Sequence, residues 1–472
     1  MSPRGDESRG DARRTVVLGA LVVALGVLVV VSAATAGARA PVVPASVARV
    51  SLSAESSAFY CGGLEHIAGV VESYVAVADL ASTPRIVEIT TTNDVQQVDL
   101  RQVRVLPGHV FHFTPAKLLA GSLQAVSIDA NEGGIAATES IRGVNGVAVA
   151  PCLSAAAPSW WLTGGSTEPG GGFVLTIFNP NAYEAVVNVT LDTPTGTVAP
   201  NSDQGVLLYP HQFAALAIHA VAPNQSPITA SVVASVGSVV VYGIERSTVG
   251  AQVLSLLPAS PSTSTSTYLP VGADSSARTT TLVLVDPGPR AATATIQAIN
   301  PPGCNRHCAA PFVVGLAPGV ATSLNVAPSS RVLSGAPFAL ALRVTAPGVV
   351  VTQRVSAQGA TGQSTPIDDP SLQGAGHLVL VNPLANGFDA VDVMNPTASS
   401  VRLSLETVTP SGTKTIGSTY RIDPNGVLLL GSGALRGVVD GVLELVASGP
   451  VVASGEVHGA LVGSNVLVAA PT

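Results

Sequence analysis

The sequence predicts an all-β protein in which an N-terminal transmembrane helix is followed by four tandem immunoglobulin-like β-sandwich repeats. Hydrophobic residues make up 47% of the 472-residue chain, which also contains 47 glycines and 35 prolines. This composition is typical of many short strands joined by turns. Several segments alternate between apolar and polar residues, which is the period of a half-buried strand. Three sequence marks also recur in the same order at a spacing of roughly 105 residues, the size of an immunoglobulin-like sandwich.

The N-terminal segment, residues 15–37, is an uncharged run of 23 residues. A helix of about 20 apolar residues crosses a bilayer. Arginines precede the run within residues 1–14, so the positive-inside rule predicts a cytoplasmic tail and an extracytoplasmic body. A cleaved signal peptide is the alternative, because Ala38-Arg39-Ala40 resembles a cleavage site. We therefore expect a single-pass protein of the cell membrane, or a secreted protein if the segment is removed.

The first mark is an Asn-Pro or Asp-Pro step that precedes an alternating strand. It occurs at Asn179-Pro180, Asp286-Pro287 and Asn395-Pro396, with a weaker relative at Asn93-Asp94. In two of the strands that follow, the alternation predicts core-facing side chains at Val187, Val189 and Leu191, and at Val401, Leu403 and Leu405. The intervening side chains should face solvent: Asn188, Thr190, Arg402 and Ser404. Asn93 lies so close to the end of the first repeat that we expect this repeat to lack a hairpin.

The second mark is a proline turn between two apolar runs, and the third is a glycine that leads a β-branched run. The turns contain Pro107, Pro210, Pro318 and Pro424, which are 103, 108 and 106 residues apart. We expect each turn to join neighbouring antiparallel strands at an equivalent place in its repeat. The third mark begins at Gly134, Gly237, Gly348 and Gly449. Together the marks predict repeats at residues 50–152, 158–256, 266–358 and 374–470, with linkers at 258–267 and 358–373.

All four cysteines follow the apolar segment and therefore lie in the predicted exported body. The spacing favours disulfides between Cys61 and Cys152 and between Cys304 and Cys308. The first pair brackets the first repeat, and the second lies in a turn-forming run, residues 301–308. The alternative for the second pair is a metal site made by Cys304, His307 and Cys308.

The opening of the body carries the motif Phe59-Tyr60-Cys61-Gly62-Gly63. Together with the basic tail, the single anchor and the repeated strand–Asn-Pro–strand units, this motif resembles the actinobacterial secreted or membrane-anchored family DUF5719. The resemblance implies an envelope protein of a high-GC Gram-positive bacterium. The family has no assigned activity, so the resemblance implies no catalytic residue.

Residues with catalytic chemistry are scattered along the chain. His211 and His219 would share one face of a strand because their separation is even, which would suit a metal or proton-relay pair; surface-strand histidines are the alternative. The motifs HExxH and GxSxG are absent from the sequence. We predict no catalytic residue, no cofactor and no metal.

Aromatic residues recur where the predicted repeats begin. Trp160 and Trp161 open the second repeat, as Phe59-Tyr60 open the first and Tyr268 the third. Aromatic faces pack on sugar rings in carbohydrate-binding modules, so the two tryptophans form a possible ligand platform. The alternative is a core plug between a sandwich and its linker.

The net charge of −7 argues against a nucleic-acid partner, because nucleic-acid binding requires clustered lysine and arginine. We expect a non-enzymatic extracytoplasmic envelope protein, a scaffold or assembly accessory that presents β-sandwich surfaces. A binding module for envelope glycan or for an envelope protein is the alternative, and a hydrolase is a third. The predicted contact with the membrane is the N-terminal helix.

Overall fold

The computed structural model describes much of the chain after residue 57. The described part is residues 58–467 without 66–69, 116–118, 120–121, 131–132, 144–146, 248–252, 274–277, 300–309, 327–335, 346–347, 358–376, 383–387, 410, 439–440, 458–459 and 464. The predicted transmembrane segment, residues 15–37, lies outside it. Among the described residues, no helix combines the length and the apolar character needed to cross a bilayer.

The described chain is all-β, as the sequence predicted, and its strands form four consecutive groups. The first group contains β1 (Ala58–Glu65), β2 (Val70–Asp79), β3 (Arg85–Asn93), β4 (Val98–Val105), β5 (Val110–Phe113), β6 (Leu123–Ala130), β7 (Ile135–Gly143) and β8 (Val147–Pro151). They form two antiparallel sheets with the strand orders β1-β6-β3-β4 and β5-β2-β7-β8. Side chains from both sheets make one buried core, so the sheets pack face to face as a sandwich.

The second group has the same arrangement with two short helical additions. It contains β9 (Ser159–Gly165), β10 (Gly171–Phe178), β11 (Ala185–Thr193), β12 (Gly196–Val198), β13 (Val206–Leu208), β14 (Phe213–Ala217), β15 (Ile228–Val236), β16 (Val240–Ser247) and β17 (Val253–Pro258). The sheet orders are β12-β11-β15-β9, with β13 also on β11, and β14-β10-β16-β17. A 3-10 turn (Asn201–Asp203) precedes β13, and the four-residue α1 (Ile218–Val221) follows β14.

The third and fourth groups repeat the same strand orders. The third contains β18 (Ser266–Ala273), β19 (Arg278–Val285), β20 (Ala292–Ile299), β21 (Phe312–Leu316), β22 (Thr322–Asn325), β23 (Pro337–Val344) and β24 (Val350–Ala357). The fourth contains β25 (His377–Val381), β26 (Ala390–Met394), β27 (Val401–Thr409), β28 (Gly412–Ile422), β29 (Val427–Gly431), β30 (Val442–Ala447), β31 (Val452–Val457), β32 (Ala460–Gly463) and β33 (Asn465–Leu467). Their sheets are β18-β23-β20-β21 and β22-β19-β24, then β28-β27-β30-β25-β33 and β29-β26-β31-β32.

The alternation predicted for β11 and β27 is confirmed. The predicted inward side chains are all buried: Val187, Val189, Leu191, Val401, Leu403 and Leu405. On the opposite face, Arg402 is exposed, whereas Asn188, Thr190 and Ser404 are half-buried because neighbouring strands flank them. The pleat therefore sets the register of both strands.

The proline turns occupy equivalent places, but they are not hairpin turns. In each group the turn joins a strand of one sheet to a strand of the other, such as β4 to β5 around Pro107 and β28 to β29 around Pro424. The prediction that they join neighbouring antiparallel strands was wrong. The sequence marks a turn at these prolines without indicating to which sheet the next strand belongs.

A buried Asx residue at the end of one strand lies next to the proline turn in each group. Asn179 and Asn395 bond to the turn through their side chains, whereas the backbone carbonyls of Asp79 and Asp286 accept hydrogen bonds from it at 3.0 and 2.9 Å. Asn179 and Asn395 make the same contacts: each Nδ2 lies within 3.3 Å of three backbone carbonyl oxygens. Each Oδ1 accepts a hydrogen bond at 3.0 Å from the backbone amide two residues later. Asp79 and Asp286 accept the same amide hydrogen bond at 2.9 and 2.8 Å. The Asx residue of the first sequence mark and the proline turn of the second therefore lie together, and we call this pair of segments the corner.

Asp79, followed by leucine, is the counterpart in the first group of the Asn-Pro step. The proposed relative Asn93-Asp94 is wrong, because Asn93 ends β3 and begins the turn to β4. The first group also has the hairpin that we expected it to lack, since β3 pairs with β4 from Arg85 to Thr92. At this corner the Asp79 carboxylate accepts hydrogen bonds from the amides of Ala81 and Arg85 at 2.9 and 3.2 Å.

The proline turns of the first, second and third groups each pack on the hairpin of the group before them in the ring order, and we call this the turn contact. Gln96 Nε2, in the β3–β4 turn, donates to the carbonyl oxygen of Phe213 at 2.8 Å, directly after the second proline turn. Thr197, in β12, lies 3.3 Å from the carbonyl oxygen of Gly319. A Cβ on Gly108 would lie 2.5 Å from Thr409 Cα, so the first turn packs on the hairpin of the fourth group.

The last of these contacts closes the four groups into a ring. Alanines of the first group and valines of the fourth share one buried cluster: Ala76, Ala78, Ala136, Val379, Val381, Val408 and Val442. The third and fourth groups meet where β18 contacts β26 and β31. Because the fourth group also contacts the first, each of the four groups contacts two others.

The predicted linker at residues 258–267 is paired to strands on both sides. Ser260 exchanges two backbone hydrogen bonds of 2.8 Å with Trp161, and Ser264 exchanges two of 2.9 Å with Val349. The connection between the first and second groups is paired in the same way, with Leu153 bonded to Tyr60 and Ala157 bonded to Val239. These connections extend the sheets rather than run free between them.

Candidate functional site

The Phe59–Gly63 motif lies where the first group meets the second, a contact that we call the junction. The pairing of β1 with β6 shifts register between Cys61 and Leu64, so both glycines lie in an irregular part of the strand. Cys61 forms a disulfide with Cys152, which follows β8, and this confirms the pairing predicted from the sequence. The disulfide therefore ties the two ends of the first group together directly beside the junction.

Gly62 lies against the ring of Tyr242, which comes from β16 of the second group. A Cβ on Gly62 would be 2.7 Å from Tyr242 Cδ2, so only glycine fits without a shift. The Tyr242 hydroxyl lies 2.9 Å from the carbonyl oxygen of Tyr60 and 3.0 Å from that of Pro151, and it accepts a hydrogen bond from the Leu153 amide at 2.9 Å. Burial raises the pKa of this hydroxyl well above its ordinary value, and the nearby carboxyl of Glu139 adds to the effect.

Glu139 of β7 is fully buried at the same place. Its Oε2 accepts a hydrogen bond of 3.0 Å from the Gly63 amide, whereas Oε1 has no hydrogen-bond partner. Burial raises the pKa of Glu139 to about 8, and the amide hydrogen bond offsets only part of that rise. The carboxyl is therefore mostly protonated at neutral pH, which removes the cost of a buried charge.

Two further polar contacts cross the junction. Thr176 of β10 donates from Oγ1 to the carbonyl oxygen of Gly62 at 2.7 Å. Arg246 of β16 forms an ion pair with the buried carboxylate of Glu65, with Nε 2.8 Å from Oε2. Burial lowers the pKa of Arg246 from its ordinary value. The ion pair offsets the cost of burying the Glu65 carboxylate, and the Gly62 carbonyl gains a donor from the second group.

An apolar cluster surrounds these polar groups and draws on both groups of strands. It contains Leu123, Ala125, Ile141, Ala148, Ala150, Phe178, Phe213, Val240, Tyr242, Ile244 and Leu256. Since the cluster is continuous, the first and second groups share a core rather than merely touching. Chemically, the junction is suited to holding two sandwiches in one fixed orientation.

A second candidate site is an open groove between the second and third groups, with a volume of about 550 Å³. Three half-buried side chains from neighbouring strands line its floor in one row. Trp161 of β9 is opposite Ser231 of β15, which is opposite Thr190 of β11. The far wall comes from the third group and the connection to it: Thr263, Pro287, Gly288, Pro318, Gly319 and Gly348.

The end of the groove is formed by the turn contact. Thr197 Oγ1 donates to Asp192 Oδ1 at 2.7 Å, and both side chains line the groove. Burial raises the pKa of the Asp192 carboxyl, and the hydrogen bond from Thr197 opposes that rise. Gly319 has φ +64°, and a Cβ there would collide with Thr197 Oγ1, so the backbone of the third group approaches the hairpin closely.

The two tryptophans of the predicted platform have different roles. Trp160 is buried in the core, and its Nε1 donates to the carbonyl oxygens of Ala157 and Val239 at 3.1 and 2.6 Å. It is a core plug, and its ring is closed to a ligand because inward positions of β9 pack on the opposite sheet. Trp161 points to the outer face and lines the groove.

The other candidate residues are not brought together. Cys304, His307 and Cys308 lie outside the described residues. The reasoning that paired His211 with His219 on one strand was wrong, because His211 has φ +57° at the proline turn before β14 and His219 is in α1 after it. Among the described residues, no group of three or more His, Cys, Asp or Glu side chains is placed to hold a metal ion.

Comparison with known proteins bears on the middle of the chain. Residues 120–326 match the model of DUF5719, a family of unknown function. The resemblance predicted from the sequence is confirmed over these residues. The DUF5719 match covers Glu139, Cys152, Trp161 and Tyr242, and begins after the Phe59–Gly63 motif.

No curated protein matches the chain. One solved structure, described as a tetra-tandem repeat in the extending region of a large adhesion protein, aligns with 87% of this chain and 99% of its own length. The identity is 12% and the TM-score 0.14, so the alignment carries no argument about fold or function.

Proposed function

We propose that this protein is a non-enzymatic scaffold or assembly accessory of the cell envelope, whose body is one closed ring of four immunoglobulin-like sandwich repeats. The proposed repeats keep the ranges 50–152, 158–256, 266–358 and 374–470. The supporting observation is the turn contact of the first group on the fourth, between Gly108 and Thr409. A ring that closes on itself presents its outer surfaces in fixed relative positions, which is what an assembly platform requires.

The contacts that the ionisable groups make in the junction support this function. In the junction, Tyr242 and Arg246 of the second group bond to Tyr60 and Glu65 of the first, and the buried Glu139 bonds to Gly63 within the first group. Groups with shifted pKa values often mark catalytic sites, but structural networks shift pKa values as well. Here Tyr242 and Arg246, whose pKa values are shifted, also bond the second group to the first.

The extracytoplasmic location is part of the proposal. An uncharged run of 23 residues after a basic tail favours an N-terminal helix with the body outside, or a signal peptide that is removed. The Cys61–Cys152 disulfide agrees with an oxidising compartment. A reporter active only outside the cytoplasm, fused at residue 60 or after Thr472, should be active in both positions. Activity of a cytoplasm-only reporter at either position would contradict this location.

The scaffold function is testable through the junction. The full-length chain, tagged at its C-terminus and crosslinked in its own host, should copurify with a reproducible set of envelope proteins at fixed ratios. Gly62→Leu, which forces the first and second groups apart, should lose that set, while the matched Gly172→Ala should keep it because nothing lies within 4 Å of a Cβ there. Recovery of the same set with both variants would contradict a scaffold that depends on rigidity.

A second candidate function is binding of an envelope glycan or protein, and the groove at Trp161 favours it. The groove combines an aromatic face with hydroxyl and carboxylate groups, which is the usual composition of a small-ligand site. Retention of the tagged body on purified envelope polysaccharide, lost on Trp161→Ala, would support this candidate. Equal retention of the two proteins would count against it.

A further inference from the structure

We propose that the groove binds a saccharide, with a pyranose ring packed on Trp161 and its hydroxyls bound by Ser231, Thr190 and Asp192. This inference rests on the second candidate function and names its ligand class. Sugar rings have apolar C–H faces bordered by hydroxyl groups. A complementary site therefore needs one flat aromatic face and several short polar side chains beside it.

The row on the floor has this composition and a fixed spacing. Trp161, Ser231 and Thr190 are direct partners across β9, β15 and β11. Neighbouring strands are about 4.8 Å apart, so the row extends over roughly 10 Å. That length suits a short oligosaccharide lying across the strands, with one ring on the indole and the next over the hydroxyls.

The backbone around Trp161 is held in place before any ligand binds. Its amide and carbonyl both pair with Ser260 at 2.8 Å, while the neighbouring Trp160 is anchored in the core. Thr197 holds the Asp192 carboxylate by a 2.7 Å hydrogen bond at the end of the groove. Groups that are already ordered bind with a smaller entropy cost.

The same row of residue types recurs on the first group. Tyr60 of β1 is opposite Ser127 of β6, which is opposite Thr90 of β3. All three side chains are half-buried, like their counterparts in the second group. In the first group the row lies at the junction, where Tyr60 packs against the apolar cluster shared with the second group, whereas the row at Trp161 lines the open groove.

A saccharide fits this groove better than an extended peptide does. Peptides that add to a sheet need an edge strand with unpaired backbone groups. The edge of β9 at Trp161 is already paired with Ser260. What remains in the groove is a set of side-chain hydroxyls, one carboxyl and one indole.

The test uses the full-length chain in a detergent whose headgroup contains no sugar. Calorimetric titration with a panel of tetrasaccharides, made of β-linked glucose, β-linked N-acetylglucosamine, α-linked mannose or α-linked glucose, should give saturable binding for at least one. Trp161→Ala should weaken that binding at least about tenfold, because the apolar face is lost. Trp161→Phe should weaken it less. The control Val233→Ala changes an exposed side chain of β15, the strand next to β9, outside the groove, and it should leave the affinity unchanged.

Several results would overturn the proposal. They are no binding by any member of the panel, equal affinity of Trp161→Ala and the unaltered protein, or a protein crosslinked to residue 161 in the envelope without saccharide binding. If Trp161→Ala lowers the melting temperature, the affinities of Trp161→Phe and Asp192→Asn are compared with that of the unaltered protein instead. Unchanged affinity in both variants would contradict the saccharide proposal. The crosslinked complexes of the scaffold test do not depend on this groove, so a negative result here leaves the scaffold function standing.

Discussion

The carboxyl of Glu139 accepts a hydrogen bond from the backbone amide of Gly63 at 3.0 Å, in a place closed to solvent. The pKa of this carboxyl is raised to about 8, against 4.5 ordinarily. Between these two values the unfolded chain is ionised while the folded chain keeps its proton. Folding therefore becomes less favourable as pH rises through this window, and the loss is complete above the folded pKa.

We expect Glu139→Gln to remove this pH dependence. Relative to the unaltered protein, the variant's free energy of unfolding should rise by about 1.4 kcal/mol per pH unit, or about 3 kcal/mol from pH 5 to 7.5. Urea unfolding of both proteins across this range measures the difference, in which the other titrating groups cancel. A difference that stays constant with pH would show that Glu139 is ionised in the folded protein.

Gly62→Ala should destabilise the junction. The new methyl group would lie 2.7 Å from the ring of Tyr242, which is itself buried, and relief of that overlap costs about 1–3 kcal/mol. Gly172→Ala on β10 is the matched control, since its methyl group would meet nothing within 4 Å. Thermal unfolding should separate the two variants clearly. Equal melting temperatures would mean that the first and second groups are not packed as described.

Asn179→Ala should destabilise the second group through its corner. The substitution leaves the buried carbonyl of Leu208 without its side-chain donor and removes the acceptor of the Asn181 amide. Unsatisfied buried groups of this kind cost about 1–3 kcal/mol each. Asn201→Ala, at an exposed position in the 3-10 turn, should change the free energy of unfolding by less than about 0.5 kcal/mol. A comparable loss in both variants would contradict the proposed role of the corner.

Leu403→Ala and Arg402→Ala should differ sharply although they are neighbours. Leu403 is buried in the fourth core, so its truncation should cost about 2–5 kcal/mol. Arg402 is exposed on the other face of β27, and its truncation should cost less than about 0.5 kcal/mol. Denaturant midpoints of the two variants check this. The reverse order would place β27 one residue out of register.

Cys61→Ser with Cys152→Ser should lower the stability of the first group. The disulfide closes a loop with a sequence separation of 91, for which the chain-entropy model gives about 4–5 kcal/mol. Peptide mapping without reductant should recover the Cys61–Cys152 crosslink, and the double variant should unfold at a lower urea concentration. A crosslink from Cys61 to Cys304 or Cys308 would contradict the pairing.

Local patterns in the sequence were enough to predict the strands but not their partners. The alternation of Val187, Val189 and Leu191 depends only on the pleat of one strand, and it was confirmed. The proline at Pro107 indicates a turn, but not that the chain there passes to the other sheet. Asp79 was overlooked as a corner residue because leucine, not proline, follows it.

The junction could not be predicted in the same way. Tyr242 and Tyr60 are 182 residues apart, and no spacing rule relates them. One signal was present: Glu139 is a single carboxylate within the otherwise uncharged run from Ile135 to Ile141. A lone acidic residue in an apolar strand indicates a special environment, although the sequence does not indicate which second segment provides it.

The pairing of Ser260 with Trp161 and of Ser264 with Val349 has a mechanical consequence. A tensile load that pulls the second group from the third cannot be taken up by straightening the connecting segment, because that segment is fastened to a strand near each of its ends. The load instead falls on the four backbone hydrogen bonds of these pairs and on the turn contact between Thr197 and Gly319. The groups therefore resist separation until these hydrogen bonds break, and the protein would lengthen in abrupt steps as each set of bonds is lost.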